Sequence, residues 1–205
     1  MKSILACVLT LFLAASVARA TVINVDAVNS GWYDQNGGAN GTFNNIAQNA
    51  AFYRNWFGFD LSSVTDPITS ATLEVYSDPN NDSGQTVSWW DVTTPYASLG
   101  TSSLATYNDI GSGTLFGTGG HTPGIINSYV LNAAALASLN SATSYWAIGG
   151  SNTGGWAFGY TQGVGSGDHI RLVLNETSSV PDSGSTLALF GFGLGLLVWF
   201  RRNRA

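Results

Sequence analysis

The sequence predicts an all-β domain, an antiparallel β-sandwich of the jelly-roll type with one or two short helices. Short segments alternate between apolar and polar residues, as in residues 68–77, where Ala71, Leu73 and Val75 are expected on one face. Turn-forming residues separate these segments, as in residues 78–84, which are rich in Asp, Asn, Pro and Gly. Many short strands separated by turns are typical of a β-sandwich.

The individual strands are predicted from this alternation, from β-branched or aromatic residues and from the turns that bound them. Residues 29–49, rich in Gly and Asn, are expected to form a long loop. A short helix is expected within residues 95–106, and a second over residues 133–139, where Asn132 can cap it. The predicted strands are residues 21–28, 51–61, 68–77, 86–93, 114–118, 125–131, 145–149, 156–161 and 169–174.

The first twenty residues have the features of a secretory signal peptide. A basic residue, Lys2, is followed by the apolar residues 4–15. Ala18 and Ala20 then supply an A-x-A cleavage site. The single cysteine of the chain lies inside this segment, so the exported part can form no disulfide. We therefore expect residues 1–20 to be removed.

A second apolar segment, residues 187–200, is predicted to be a single transmembrane helix. Its 14 residues give about 21 Å of helix, against roughly 30 Å of hydrocarbon in a bilayer. Residues 201–205 form a basic tail, which stays cytoplasmic because arginines resist translocation. A short, glycine-rich anchor suggests a helix that is later removed. The arginines of the orientation signal are Arg201, Arg202 and Arg204.

A polar turn precedes this helix, within a linker predicted over residues 176–186. Its proline fixes φ and its glycine permits positive φ, so the turn separates the helix from the chain before it. The turn, the apolar segment and the arginines, in this order, resemble the PEP-CTERM class of bacterial sorting signals, and in particular its VPDSG variant. The motif consists of Val180, Pro181, Asp182, Ser183 and Gly184.

This resemblance implies a partner and a route of export. The partner is an exosortase, a membrane-embedded cysteine protease or transpeptidase that removes the tail. The protein would be exported through the inner membrane, held as a membrane-anchored precursor, and delivered to the cell surface or the extracellular matrix. Proteins with this signal usually accompany the production of exopolysaccharide and biofilm. An ordinary membrane anchor is the alternative.

The exported domain, predicted over residues 21–175, is strongly acidic. Eleven acidic residues but only two basic ones, Arg54 and Arg171, lie between residues 21 and 179, which gives a formal charge of −9. Such a surface repels nucleic acid and anionic lipid, and it favours neutral partners, cations or basic polymers. We therefore predict no nucleic-acid partner.

Residues 53–62 and 68–76 contain an arginine, the sequence F-D-L-S and the pattern I-x-x-A-x-L-x-x-Y. This arrangement is similar to that of DNRLRE-type modules and related carbohydrate-binding jelly rolls of bacterial surface proteins. The resemblance implies a β-sandwich of a kind often attached to glycan-active or matrix proteins.

The chain has seven tryptophans, some of which are candidates for glycan binding. Trp56 and Trp146 lie in apolar strands and are expected in the core. Trp89 and Trp90 are neighbours in one strand, so one should face the core and the other solvent. Aromatic faces stack on the C–H faces of sugars, although packing in the core is the alternative use. The candidate glycan-binding residues are Trp32, Tyr33, Trp89, Trp90 and Trp156.

Asp78, Asn80 and Asp82 place oxygen atoms at alternate positions, as in half of a calcium loop. Trp89 occupies the position where an EF-hand has its bidentate glutamate, so a turn rich in Asx residues is the alternative. We predict no cofactor other than, at most, a Ca²⁺ ion at this turn.

The sequence has neither a G-x-S-x-G elbow nor an H-E-x-x-H pair. Asp60 and Glu74 are the carboxylates nearest the well-defined strands, but a glycosidase needs two on one cleft. His121 is expected in solvent and His169 at a strand edge, while Arg54 is expected to pair with a buried acid, for which Asp60 is a candidate. We predict a non-catalytic protein associated with exopolysaccharide. The alternatives are a polysaccharide-active enzyme, such as a glycosidase or lyase, and a structural coat protein without a ligand.

Overall fold

The computed structural model describes residues 19–40, 52–158 and 169–178. The chain forms two compact units, Thr21–Glu176 and a second made of Met1–Ala20 with Thr177–Ala205. The sorting motif, the predicted transmembrane helix and most of the signal peptide lie outside the described residues. Within those residues, no helix is both long and apolar enough to cross a membrane.

The described chain is mostly β, as predicted, with two short α-helices and one 3-10 turn. Asn132 caps the helix that begins at Ala133, as predicted, by accepting hydrogen bonds from the backbone N–H groups of Ala134 and Ala135. The strands are β1 (Arg19–Asp34), β2 (Ala39–Asn40), β3 (Tyr53–Asp60), β4 (Ile68–Tyr76), β5 (Thr86–Asp91), β6 (Leu115–Gly120), β7 (Ile126–Val130), β8 (Tyr145–Asn152) and β9 (Ile170–Ser178). The helices are α1 (Leu104–Asp109) and α2 (Ala133–Ser141), and the 3-10 turn is Tyr96–Ser98.

The strands follow one path in the order β6-β5-β8-β3-β1-β9-β4-β7, with β2 paired to β1. The pairs within β6-β5-β8-β3-β1 and within β9-β4-β7 are antiparallel. β1 has 16 residues and joins these two groups, because it lies between β3 and β9. The predicted antiparallel sheets are therefore continuous through β1, and the sheet is nearly barrel-shaped.

The core lies between the two groups of strands, which face each other. Phe57 and Trp89 come from one group, and Leu73, Tyr129 and Leu172 from the other; all are almost completely buried. The rings of Trp89 and Tyr129 meet edge to face at 5.2 Å, which joins β5 to β7 across the core. Burial of such large apolar side chains is the main favourable contribution to folding.

A second buried cluster lies on the outer face of β1 and β3, under the segment that contains the 3-10 turn and α1. The segment approaches so closely that a Cβ at Gly149 would collide with the backbone of Ile110. This packing explains why Trp56, although buried as predicted, is on the face away from the main core. The cluster consists of Tyr33, Trp56, Leu99, Tyr107 and Ile110.

β1 is longer than predicted and contains Trp32 and Tyr33, which lie in the predicted loop. The register between β1 and β3 shifts between Ala27 and Asn29, where β1 has an irregularity of the β-bulge type. Beyond it, Trp32 pairs with Asn55 of β3. The shift interrupts the alternation of apolar residues in β1. The sequence pattern therefore predicts an end of this strand at residue 28, before its end in the structure.

The strand predicted over residues 156–161 does not begin as expected. Trp156 forms an isolated bridge, and bends follow at Ala157 and Phe158. Residues 159–168 lie outside the described residues, so the remainder of this prediction stays untested.

β9 runs to Ser178, beyond its predicted end and into the residues predicted as linker. Glu176 still pairs with Ile68, the first residue of β4. Because β4 follows the connection that leaves β3 at Asp60, this pairing marks the end of the sheet where β3 terminates. The C-terminal end of β9 therefore lies opposite the end that holds Tyr53, the first residue of β3.

Candidate functional site

Three aromatic side chains meet at the end of the sheet where β3 begins, and we call them the aromatic cluster: Trp32, Tyr53 and Trp156. The rings of Trp32 and Tyr53 are 5.2 Å apart at 88°, and those of Tyr53 and Trp156 are 5.4 Å apart and stacked at 26°. All three side chains are partly exposed. The cluster combines residues from β1, from β3 and from the segment after β8.

The sheet register places two of these rings side by side. Trp32 is directly opposite Asn55 in the antiparallel pair of β1 and β3, so the two side chains share a face. Tyr53 precedes Asn55 by two residues and therefore shares that face as well. The irregularity in β1 produces this arrangement, because without it Trp32 would point to the other side of the sheet.

Trp156 is held by Asp82 of the turn before β5. The backbone N–H of Trp156 donates to Asp82 Oδ2 at 2.8 Å, and the backbone N–H of Asp82 donates to the carbonyl of Trp156 at 2.8 Å. A Cβ at Gly155 would collide with the Asp82 carboxylate. Glycine at this position thus allows the close approach that fixes Trp156 against Tyr53.

A buried polar network lies next to this turn and centres on His121. Its Nε2 is 2.6 Å from Ser77 Oγ, and its Nδ1 is 3.1 Å from the carbonyl oxygen of Asp82. Asn81 Nδ2 donates to Ser77 Oγ at 3.0 Å. In the tautomer with hydrogen on Nδ1, His121 donates to the Asp82 carbonyl and accepts from the Ser77 hydroxyl, so both ring nitrogens are satisfied.

His121 is only 4% exposed, and the prediction that it is solvated is wrong. Burial lowers the pKa of His121 below its ordinary value, so the side chain is neutral at pH 7. The sequence shows this histidine in a Gly-Gly-His-Thr-Pro turn and gives no local sign that Ser77 and Asp82 enclose it.

Two buried polar side chains adjoin the aromatic cluster. Ser30 and Asn55 are both 0% exposed. Ser30 Oγ and both amide atoms of Asn55 make no hydrogen bond with any residue in the described part of the chain. Both side chains lie on the same face as Trp32, because Ser30 is two residues away in β1 and Asn55 is opposite it in β3. Buried polar atoms normally have a partner, so these three atoms are suited to binding an enclosed water molecule.

The other predicted glycan-binding residues lie away from the cluster. Tyr33 and Trp89 are 0% exposed, and their burial corrects the expectation that they could contact a ligand. Burial also raises the pKa of Tyr33, whose hydroxyl oxygen accepts from the N–H of Gly100. Trp90 is partly exposed on the opposite face of β5 from Trp89, as predicted, and donates from Nε1 to Ser151 Oγ at 2.8 Å.

Tyr53 is the member of the cluster that the sequence analysis did not single out. Its position two residues before Asn55, in a strand with clear alternation, is the signal that could have placed it beside Trp32. Trp156 comes 103 positions later in the chain, so no local pattern could show that it stacks on Tyr53.

The three predicted calcium ligands do not converge. Asp78 Oδ1 accepts from the backbone N–H of Asn80 at 2.8 Å and from its Nδ2 at 2.7 Å, which is the geometry of an Asx turn. Asp82 instead binds the backbone of Trp156. Over residues 19–40, 52–158 and 169–178, no group of three His, Cys, Asp or Glu side chains is placed to hold a metal ion.

Arg54 does not pair with Asp60, contrary to prediction. Its Nη1 donates to the carbonyls of Tyr107 at 2.8 Å and Asn108 at 3.3 Å, in the last turn of α1. Its guanidinium carbon lies 4.2 Å from the centre of the Tyr107 ring. Asp60 Oδ1 accepts instead from the backbone N–H of Ser62, which lowers the pKa of Asp60. Arg54 thus secures α1 on the outer face of the sheet.

The two carboxylates considered for catalysis have separate partners. Glu74 lies in β4, and its Oε2 is 2.6 Å from Nε2 of His169, the residue just before β9. Asp60 ends β3 and binds Ser62. His169 therefore lies at the beginning of the last strand, as predicted, and is bound there by the carboxylate of Glu74.

Comparison with known proteins identifies the C-terminal segment. A family model described as the VPDSG-CTERM motif matches residues 179–204. No curated protein matches the chain. The matched segment is a sorting signal of the PEP-CTERM type, consistent with export, membrane anchoring and later processing by an exosortase. The chain thus carries a C-terminal sorting signal that suggests an exported surface protein.

Proposed function

We propose that this protein is a non-catalytic surface or matrix protein that binds neutral polysaccharide through the aromatic cluster, after an exosortase has removed its C-terminal tail. The observation that carries the binding proposal is the contact of three partly exposed rings, those of Trp32, Tyr53 and Trp156. Aromatic rings are the side chains that stack on the C–H faces of sugars, and a few polar groups beside them fix the orientation of a ligand.

The charges around the cluster support this ligand class. Arg54, one of only two basic residues between residues 21 and 179, is engaged at the end of α1. Arg171, the other basic residue, binds Asp26, so an acidic domain without a free basic side chain among its described residues favours an uncharged polymer over a polyanion.

The fold supports the same interpretation. The two facing groups of strands are compatible with the jelly-roll-like sandwich of carbohydrate-binding modules, which the segment around Tyr53 and Asp60 resembles. The sorting signal supports delivery to the surface or matrix, where we propose that the ligand is an exopolysaccharide. The final location of the processed protein and its association with biofilm belong to the same proposal.

Binding is tested with the full chain produced in its native host and purified from the envelope. The wild type, Trp156→Ala and Trp90→Ala are incubated with polysaccharide extracted from the same cells, and the bound fraction is measured. We expect Trp156→Ala to lose most of the binding. Trp90→Ala removes a partly exposed tryptophan from another face and should bind like the wild type.

The same experiment separates the alternatives. Equal binding by both variants would remove the aromatic cluster from the proposal, and no binding by the wild type would favour a coat protein without a ligand. New reducing ends in the incubated polysaccharide would show an enzyme instead. Circular dichroism of each variant shows whether its fold is retained.

A further inference from the structure

Tyr96 and Tyr145 form a parallel stacked pair on the outer face of the sheet, apart from the aromatic cluster. Their ring centroids are 4.6 Å apart, and their planes differ by only 5°. Tyr96 belongs to the 3-10 turn, and Tyr145 is the first residue of β8. Tyr145 is 50% exposed, so small molecules can reach the pair from solvent.

The sheet holds both rings in place. The ring of Tyr96 lies over Gly58 of β3, where a Cβ would collide with it. Tyr145 pairs with Asp60, which is two residues further along the same strand and therefore on the same face. The two phenol rings thus lie next to each other over the last residues of β3.

We propose that this pair is a site of oxidative cross-linking, at which a haem peroxidase that uses hydrogen peroxide joins Tyr96 to Tyr145 through their ortho carbons. Each phenol gives one electron to the oxidant and one proton to water, and becomes a phenoxyl radical. The two radicals form a carbon–carbon bond, and the hydrogens on the bonded carbons move to the phenolic oxygens. One hydrogen peroxide takes up the two electrons and two protons and becomes two water molecules.

The stacked geometry suits this bond. In a phenoxyl radical the unpaired electron occupies orbitals perpendicular to the ring, on the oxygen and on the ortho and para carbons. A bond between ortho carbons therefore forms through the ring faces, and these two rings already meet face to face. Holding the reacting groups together in this way turns an encounter between two molecules into a step within one. Burial, and then the neighbouring Tyr145, raise the pKa of Tyr96, so its ring is a neutral phenol at pH 7.

Four other tyrosines of the described chain are less suited to coupling. Tyr33, Tyr107 and Tyr129 are buried, and Tyr53 is in contact with two tryptophan rings. The exported part contains no cysteine and can form no disulfide, so a bond between two tyrosines would be a covalent cross-link of a different chemical type. It would close a loop of about 50 residues and restrict the unfolded chain as a disulfide does.

The test treats the full chain, purified from the native envelope, with hydrogen peroxide and a haem peroxidase. We expect a monomer whose mass has decreased by two hydrogens, which shows dityrosine fluorescence and melts at a higher temperature. Proteolysis should release a peptide pair that joins Tyr96 to Tyr145. Tyr145→Phe keeps the stack but has no phenol to oxidise, and it should lose all of these changes. The matched control is Tyr76→Phe, which removes a partly buried tyrosine of β4 and should react like the wild type.

Two results would overturn the proposal. One is the same yield of dityrosine in Tyr145→Phe as in the wild type, and the other is a peptide pair or a covalent dimer linked through other tyrosines. The glycan-binding proposal is not involved, because neither Tyr96 nor Tyr145 belongs to the aromatic cluster.

Discussion

Asp82 and Trp156 hold each other by two reciprocal hydrogen bonds, each of 2.8 Å, although they are 74 residues apart in the chain. The Asp82 carboxylate and backbone N–H bind the backbone of Trp156, and the indole ring stacks on Tyr53. The same aspartate accepts from buried His121 through its carbonyl oxygen. One turn residue thus connects a neutral buried histidine to the partly exposed rings of the aromatic cluster.

Replacing Asp82 by Ala should loosen Trp156 without removing its ring. The variant loses a hydrogen bond to a charged acceptor, and we expect the free energy of unfolding to fall by about 1 kcal/mol because Asp82 is exposed to solvent. Polysaccharide binding should weaken as well. Urea unfolding and the pull-down assay measure the two effects. Asp66→Ala, at the other end of the sheet, is the control, and a similar loss of binding in that variant would contradict the role of Asp82.

The stability of the domain should depend on the protonation of His121. Its folded-state pKa lies below the unfolded value of 6.5, so the unfolded chain binds more protons in the window below that value. The free energy of unfolding should therefore fall as the pH drops through and below about 6.5, and level off under the folded pKa. Urea unfolding between about pH 7 and about pH 5 measures this slope.

His121→Asn is the matched variant for the pH experiment, since an amide can still donate to a carbonyl but does not titrate in this range. Its unfolding free energy should be lower at pH 7 and should change less between the two pH values. An unchanged slope would assign the dependence to other groups. His169→Asn serves as the control, because His169 pairs with Glu74 at a partly exposed position.

Trp89 and Trp90 are neighbours in β5 with very different environments. Trp89 is 0% exposed among Phe57, Tyr129 and Phe158, so Trp89→Ala should cost roughly 3–5 kcal/mol of unfolding free energy. Trp90→Ala loses one hydrogen bond to Ser151 and part of its packing, and should cost about 1 kcal/mol. Urea denaturation of both variants provides the comparison. Equal large costs would contradict the assignment of opposite faces.

Sorting should depend on the backbone of the VPDSG segment. Pro181 and Gly184 are residue types that disfavour a continuing helix, and a protease needs an extended backbone in its active site. Changing both residues to Ala should therefore leave an uncut precursor in the membrane fraction. Electrophoretic mobility and fractionation in the native host measure this outcome. Identical mass and fractionation of variant and wild type would indicate an ordinary anchor.

The orientation signal makes a separate prediction. Arg201, Arg202 and Arg204 should hold the tail in the cytoplasm, because arginines near a helix end resist translocation. Changing all three to Ser should let the tail pass through the membrane. Protease protection of an epitope placed at the C-terminus reports this. A tail that remains protected in the variant would show that another feature sets the orientation.

Local patterns predicted the strands well where alternation is unbroken. β3, β4, β5 and β7 lie where residues alternate between apolar and polar, and Asn132 caps α2 because its side chain satisfies the first backbone N–H groups of the helix. The pattern was insufficient in β1, where the irregularity after Ala27 shifts the alternation by one residue. The sequence pattern therefore assigned Trp32 to a loop.

The candidate site could be predicted only in part, because its decisive contacts are remote in sequence. The number of tryptophans suggested that some of them bind a glycan, and two of those candidates, Trp32 and Trp156, lie in the aromatic cluster. Charge alone suggested an acidic partner for Arg54, whereas in the structure it binds carbonyl oxygens at the end of α1. Every residue has a backbone carbonyl, so the sequence could not indicate these partners. The burial of His121 likewise depends on Ser77 and Asp82, both about 40 residues earlier in the chain.

The pairing of Glu176 with Ile68 determines the direction in which the chain leaves the domain, because it places the end of β9 beside the start of β4. That end of the sheet is the one away from Tyr53, so the chain leads to its sorting signal from the side opposite the aromatic cluster. Changes to the rings of the cluster should therefore leave the pairing of β9 with β4 intact, so polysaccharide binding and sorting can be measured in separate variants.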